Sequence, residues 1–193
     1  MAQVQPHETP QQTRPVVPPK QLPSDYPLID NDPHFKRVVR YARASDYAYG
    51  AGMAAAIPGG FVLMDRISPF PGMPKSAYKG PLRLNYVLGL TAGFLVFYSR
   101  SIQRFYGFTE NRREVELDMR EMTDRVKRGE PLYGTSRLSE YMQGVASRQT
   151  RYTGLNLAIM PWFNFVNHPY HGVDTAKYYQ NAERELEAER QGK

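Results

Sequence analysis

At 193 residues and 41% hydrophobic side chains, the chain is long enough to bury a core, so composition excludes neither a soluble domain nor a membrane protein. The absence of cysteine does exclude disulfides, thiolate zinc sites, Cys-ligated iron–sulfur clusters and cysteine nucleophiles. A net charge of +6 and a pI near 9.5 suit an acidic partner, whether nucleic acid, anionic lipid headgroups or an acidic protein surface.

Residues 1–27, MAQVQPHETPQQTRPVVPPKQLPSDYP, read as an extended Pro-rich arm with too few apolar side chains to offset the entropy of ordering. The arm has no apolar h-region and Arg14 is its only arginine. It therefore reads neither as a secretory signal nor as a transit peptide, and any import signal is expected further inside the chain.

Residues 28–45 predict a basic amphipathic helix, with Asp32 as N-cap and Pro33 at the first helical position. Phe35, Val38, Val39 and Ala42 share one face, while Lys36, Arg37, Arg40 and Arg43 crowd the rest. Such a helix lies either on a soluble core or on a membrane face among phosphates.

Residues 46–104 predict a transmembrane hairpin with spans at about 47–64 and 84–99. The first uncharged run reaches roughly 27 Å at ~1.5 Å per residue, against a hydrocarbon thickness of ~30 Å. The second reaches roughly 24 Å and is adequate when Arg83, Arg100 and Arg104 snorkel to the headgroups. Neither run has a polar face, and Tyr47, Tyr49, Tyr86 and Tyr98 sit near the ends, where amphipathic rings suit the interface. Small residues at four-residue spacing, Gly52–Ala56–Gly60 and Gly89–Gly93, predict helix-packing faces. The Pro- and Gly-rich stretch DRISPFPGMPKSAYKGPLR is expected to end one helix and start the next. Four basic residues lie in that loop (Arg66, Lys75, Lys79, Arg83) against eight outside it (Lys36, Arg37, Arg40, Arg43, Arg100, Arg104, Arg112, Arg113). That imbalance puts both termini on the cytoplasmic or matrix side.

Residues 105–193 predict a peripheral helical region. NRREVELDMREMTDRVKRGEP carries a capping-box pattern in Asn111 and Glu114, with Gly129 and Pro131 as terminators. Val115, Met119, Met122 and Val126 form a narrow stripe suited to docking on a single neighbour, either a partner protein or this chain's own hairpin. RYTGLNLAIMPWFNFVNHPYHG is apolar but too broken to span. It predicts an interfacial or partner-contacting segment anchored by Trp162, Phe163 and Phe165. The tail, DTAKYYQNAERELEAERQGK, predicts a charged, solvated helix capped by Asp174.

No dinucleotide fingerprint, P-loop or nucleophile elbow is present. His168 and His171 lack a third ligand in any recognisable pattern and read as surface or interface histidines. Asp30 and Asp32 read as loop and capping residues, with no apolar pocket to shift them. No catalytic, cofactor-binding or metal residue is therefore assigned. The basic residues cluster beside the spans, which makes anionic lipid a nearer partner than nucleic acid. Arg37, Arg40, Arg43, Arg83, Arg100, Arg104 and Trp162 are the expected headgroup and interface residues.

DYPLIDNDPHFKRVVRYARASDYAYGAG, the two-helix hairpin behind it, and the terminal WFNFVNHPYHGVDTAKYY resemble the fungal 21 kDa accessory subunits of mitochondrial NADH:ubiquinone oxidoreductase, respiratory complex I. The resemblance implies a supernumerary subunit of the membrane arm in the inner mitochondrial membrane, with no redox centre or quinone-reactive residue of its own; together with the two spans and the charge imbalance, the expectation is a multi-pass protein with its termini on the matrix side. Its expected partners are other membrane-arm subunits and phospholipids, cardiolipin among them, with no cofactor and no nucleic acid. The expected fold is an all-α membrane protein, a two-helix transmembrane hairpin with flanking amphipathic helices and an extended Pro-rich N-terminal arm. The residues alone leave two other readings open: a small component of a mitochondrial translocation complex, and a lipid-surface-binding helical module whose apolar runs are core helices.

Overall fold

A computed structural model describes residues 22–69, 71 and 74–192, so residues 1–21 of the expected arm lie outside the described residues. Among the described residues every regular element is helical. The order is α1 (Phe35–Arg40), α2 (Ala44–Ile67), α3 (Lys75–Tyr106), α4 (Arg112–Lys127), α5 (Glu140–Thr150), a 3₁₀ turn (Thr153–Asn156) and α6 (Ala176–Gln191).

α2 and α3 form the hairpin, and each is longer than its charge-free run. α2 continues through Asp65 and Arg66, with Asp46 in its first turn and Arg66 in its last, the polarity that complements the helix dipole. α3 has 32 residues, roughly 48 Å at ~1.5 Å each, and takes Pro81 into the helix where the sequence suggests loop. It stops at Gly107, whose φ of 77° places it in the left-handed region. There the N–H of Phe108 reaches back to the carbonyl of Gln103 at 3.1 Å. A side chain at Gly107 would collide with the carbonyl of Tyr26, so the chain entering the head crosses directly over this cap.

The two helices touch through Gly50, Ala54 and Pro58 on α2 and Gly89 and Gly93 on α3. A Cβ added to Gly93 would lie 2.5 Å from the Gly50 carbonyl oxygen, and one on Gly89 would lie 2.5 Å from that of Ala54. Pro58 has no N–H to give the Ala54 carbonyl, so that oxygen loses its helical donor and sits against Gly89, an approach suited to a Cα–H···O contact. The small-residue stripe expected on α2 does not face α3. Nothing lies within 4 Å of a Cβ on Gly52 or Gly60, and Ala56 is exposed. A shift of two positions along a helix turns a residue to nearly the opposite side, and small residues occupy both sides of α2.

The outer surfaces of the pair are apolar and uncovered. Leu63, Leu84, Val87 and Leu90 are all more than half exposed, and only 11% and 17% of the most apolar stretches of the two helices are buried. They are not core helices of this chain. The core lies beyond them, where the last turns of α3 enter a polar head. Phe97, Tyr98, Ile102, Phe105 and Tyr106 pack there with Ile29, Val38, Tyr41 and Leu157.

Several local expectations change in the head. The N-cap of α1 is His34, whose Nδ1 accepts the Lys36 N–H at 3.1 Å, because Asp32 is buried in other bonds. Asn111 holds the N-cap position of α4 without a side-chain cap. Its amide instead donates to the carbonyls of Pro27 and Arg104, both at 2.8 Å, and Glu114 faces arginines. The α4 stripe is covered from within this chain: Met119, Met122 and Val126 pack with Leu132, Tyr133 and Tyr178, while Val115 joins the main core. Accordingly α6 is not solvated along its length, since Tyr178 and Ala182 are buried. Asp174 accepts the Ala176 N–H at 2.9 Å from one position before the N-cap, Thr175.

Gly93→Ala is expected to destabilise the hairpin by about 1–3 kcal/mol through overpacking, whereas Gly52→Ala should stay within about 0.5 kcal/mol. Thermal unfolding of the detergent-solubilised protein compares them, and equal melting of both variants would contradict the helix register described.

Candidate assembly and membrane interface

The hairpin is joined to the head by buried charges. Arg104, on the last turn of α3, bonds both carboxylate oxygens of Asp46 at the start of α2, and its Nε lies 3.4 Å from Glu114 on α4. Arg43 reaches the same Glu114 through Nε at 2.8 Å and holds Glu110 at 3.0 Å. Arg100 approaches Asp46 at 3.4 Å and lies over the Tyr49 ring at 3.8 Å. A second group centres on Arg37, which pairs with Asp30 at 3.3 Å and with Asp118, itself bonded by the Tyr178 hydroxyl at 2.6 Å.

This placement corrects the headgroup assignment for three arginines. The side chains of Arg37 and Arg104 are only 11% and 6% exposed, and Arg43 is committed to two glutamates. Arg40, Arg83 and, in part, Arg100 remain at the surface. Beside Arg40, a hollow of about 430 Å³ between α1 and α4 is lined by Arg113, Arg120, Arg125 and Arg128 with Glu121 and Asp124. Cations predominate in that lining.

The two histidines expected at a surface or interface and the two aspartates read as loop and capping residues are buried as pairs. The segment after the 3₁₀ turn folds back along residues 29–35. Phe35 donates to the Asn164 carbonyl at 2.7 Å, Asn31 to that of His171 at 3.1 Å, and the Asn164 amide to that of Asp32 at 3.0 Å. His168 accepts the Tyr170 N–H on Nδ1, and its Nε2 lies 2.9 Å from Asp32. Both nitrogens of His171 face oxygens, Asp30 at 2.7 Å and the His168 carbonyl at 2.5 Å, so the ring ties residue 30 to the turn at 168–171.

Burial pushes the Asp30 carboxyl up, but His171 and Arg37 outweigh it and hold the group below the ordinary carboxylate value. For Asp32, burial prevails over its bonds from His168 and Thr150, and its value is raised. Asp118 is likewise raised by burial, which Arg37 and Tyr178 offset only in part. Among the described residues no three His, Cys, Asp or Glu side chains are arranged to hold a metal ion. The acids face arginines, imidazoles and hydroxyls, an arrangement that fixes segments to one another.

Sequence reasoning missed Asp46, Glu114 and Asp118 as members of this cluster. The available signal was their position: Asp46 abuts an apolar run, and Glu114 and Asp118 stand four apart on one side of α4.

The fold and its charge cluster define a class: an all-helical protein in which two long apolar helices are anchored by ion pairs to a polar head. Residues 23–110 match the family described as NADH-ubiquinone oxidoreductase complex I, 21 kDa subunit. Residues 119–193 match the C-terminal of NADH-ubiquinone oxidoreductase 21 kDa subunit. The NADH-ubiquinone oxidoreductase 20.9 kDa subunit of Neurospora crassa is 59% identical over 174 residues, covering 90% of this chain and 92% of that relative. The chain belongs to the family of complex I 21 kDa subunits.

Asp30→Asn, which leaves Arg37 and His171 facing a neutral group, should destabilise the head by about 3 kcal/mol at neutral pH. Because the folded value of Asp30 lies below its ordinary 3.8, its stabilisation is fully present above that pH and is lost as pH falls through the folded value. Asp32 and Asp118 act in the opposite sense, their contribution being complete below 3.8 and declining as pH rises through their raised values. The stability gap between wild type and Asp30→Asn, followed by denaturant unfolding across pH, should therefore narrow in acid; a gap that widens there would contradict the assigned pairing.

Proposed function

We propose that this chain is a non-catalytic accessory subunit of complex I in the inner mitochondrial membrane, where it stabilises the membrane arm by contact with neighbouring subunits and phospholipids, cardiolipin among them. One observation carries the reading: α2 and α3 close against each other glycine to glycine while their apolar outer surfaces stay uncovered by their own chain. In water that surface is unfavourable, and in lipid it is not. The spans lie at about 47–64 and 84–99.

The start of α2 and the end of α3 both enter the head, which places the two chain ends on one side, and the charge imbalance across the hairpin favours the matrix for that side. Gly52, Ala56 and Gly60, turned away from α3, offer a close-packing face to a helix of a neighbouring subunit. Arg40, Arg83 and Arg100 serve the headgroups, and the arginine-lined hollow beside Arg40 suits acidic groups at the same surface.

Blue-native electrophoresis of mitochondria, probed for this chain, should show it migrating with NADH dehydrogenase activity, and carbonate washing should leave it in the membrane pellet. Migration only as a free monomer would sink the assignment to the complex, and release by carbonate would sink the spanning hairpin.

A further inference from the structure

From Thr153 to Val166 the chain carries no charged residue, yet Ile159 is 88% exposed, Met160 and Phe165 63%, and Trp162 53%. A contiguous apolar tip of this kind is poorly placed in water. Its height against the hairpin is set by aromatic contacts. Phe163 meets Tyr98 edge-on at 4.8 Å and Phe94 at 5.9 Å, and Phe165 lies 5.1 Å from Phe35. Phe94 precedes Arg100 by six positions on α3, roughly 9 Å along the axis at ~1.5 Å per residue. The tip thus stands beside the last turns of the apolar stretch, on the hairpin side of Arg100.

Part of the backbone at the tip is satisfied from within, and the headgroup boundary, unlike the hydrocarbon interior, supplies water to the rest. The N–H groups of Ile159 and Met160 both donate to the Asn156 carbonyl, at 2.9 and 2.8 Å, and Pro161 has none to satisfy. Asn164, the polar side chain of the inner half, turns into the head and bonds Asp32 and Val166.

We infer that residues 155–165 form a loop embedded in the lipid at the boundary between headgroups and acyl chains, on the same membrane face as the head. Ile159, Met160, Trp162 and Phe165 enter the lipid, and Phe163 is the bracket that fixes their depth against α3. This rests on the spanning hairpin of the proposed function and adds a third membrane contact to it. The occupant is lipid: the tip is continuous with the exposed apolar band of α3 at Leu90 and Phe94, and its depth is the one an interfacial segment reaches.

Trp162 is the chain's only tryptophan and reports on this directly. Full-length protein reconstituted in phosphatidylcholine vesicles should lose about half of its tryptophan emission when the acyl chains are brominated near the headgroup, and less when they are brominated near the terminal methyl. A double variant, Trp162→Phe with Leu90→Trp, moves the probe onto α3 and serves as the reference. Quenching of both probes supports the loop. Quenching of the α3 probe alone overturns it while leaving the hairpin intact, and quenching of neither overturns both. In mitochondria, a photo-reactive side chain in place of Trp162 should form adducts with lipid, whereas a crosslink to a neighbouring polypeptide would show that protein covers the loop and would overturn the proposal.

Discussion

One guanidinium determines how the rest of this structure is arranged. Arg104 lies on the last turn of α3, grips the aspartate in the first turn of α2 and reaches the glutamate near the start of α4, which Arg43 holds from the N-cap of α2. Burying such charges is costly, and the geometry recovers the cost only while every partner is present. Asp46 gains further from its place in the first turn of α2, where the helix dipole favours an anion. With those contacts made, the directions in which α2 and α3 leave the head are set, and the aromatic core between Val38 and Phe105 forms around them.

The two family segments, 23–110 and 119–193, are not independent bodies. Asp30 and Asp32 in the first are paired with His171 and His168 in the second, and the backbone of residues 31–35 is bonded to that of residues 164–171. The C-terminal segment therefore works as a clasp over the entry to α1, and the loop carrying Trp162 hangs from it at a fixed height.

The hairpin and the broad helical plan were legible in the sequence, because charge-free runs bounded by ionic residues and broken by prolines leave few alternatives. Register was not. Gly52, Ala56 and Gly60 repeat as regularly as Gly50, Ala54 and Pro58, and a spacing of four marks a stripe without naming the side it faces. The arginines were misread for a different reason: Asp46 lies 58 positions from Arg104, and Asp118 lies 81 from Arg37, so the acids that neutralise them are invisible to any local window. The same holds for His168 and His171, whose partners come from the far end of the chain. The α4 stripe shows one apolar face, but a heptad pattern cannot say that Tyr178 of α6 and the turn at Leu132 and Tyr133 lie against it, nor that Val115 joins the other core.

Pro58 has a consequence for how far the two long helices depend on each other. By removing one N–H it leaves the Ala54 carbonyl without a donor inside α2, and the group that covers that oxygen belongs to α3, at Gly89. Within hydrocarbon an uncovered carbonyl costs several kcal/mol, so α2 is a poor solitary traveller into the bilayer. On the spanning reading proposed above, the two helices therefore belong to one unit, each covering what the other leaves open.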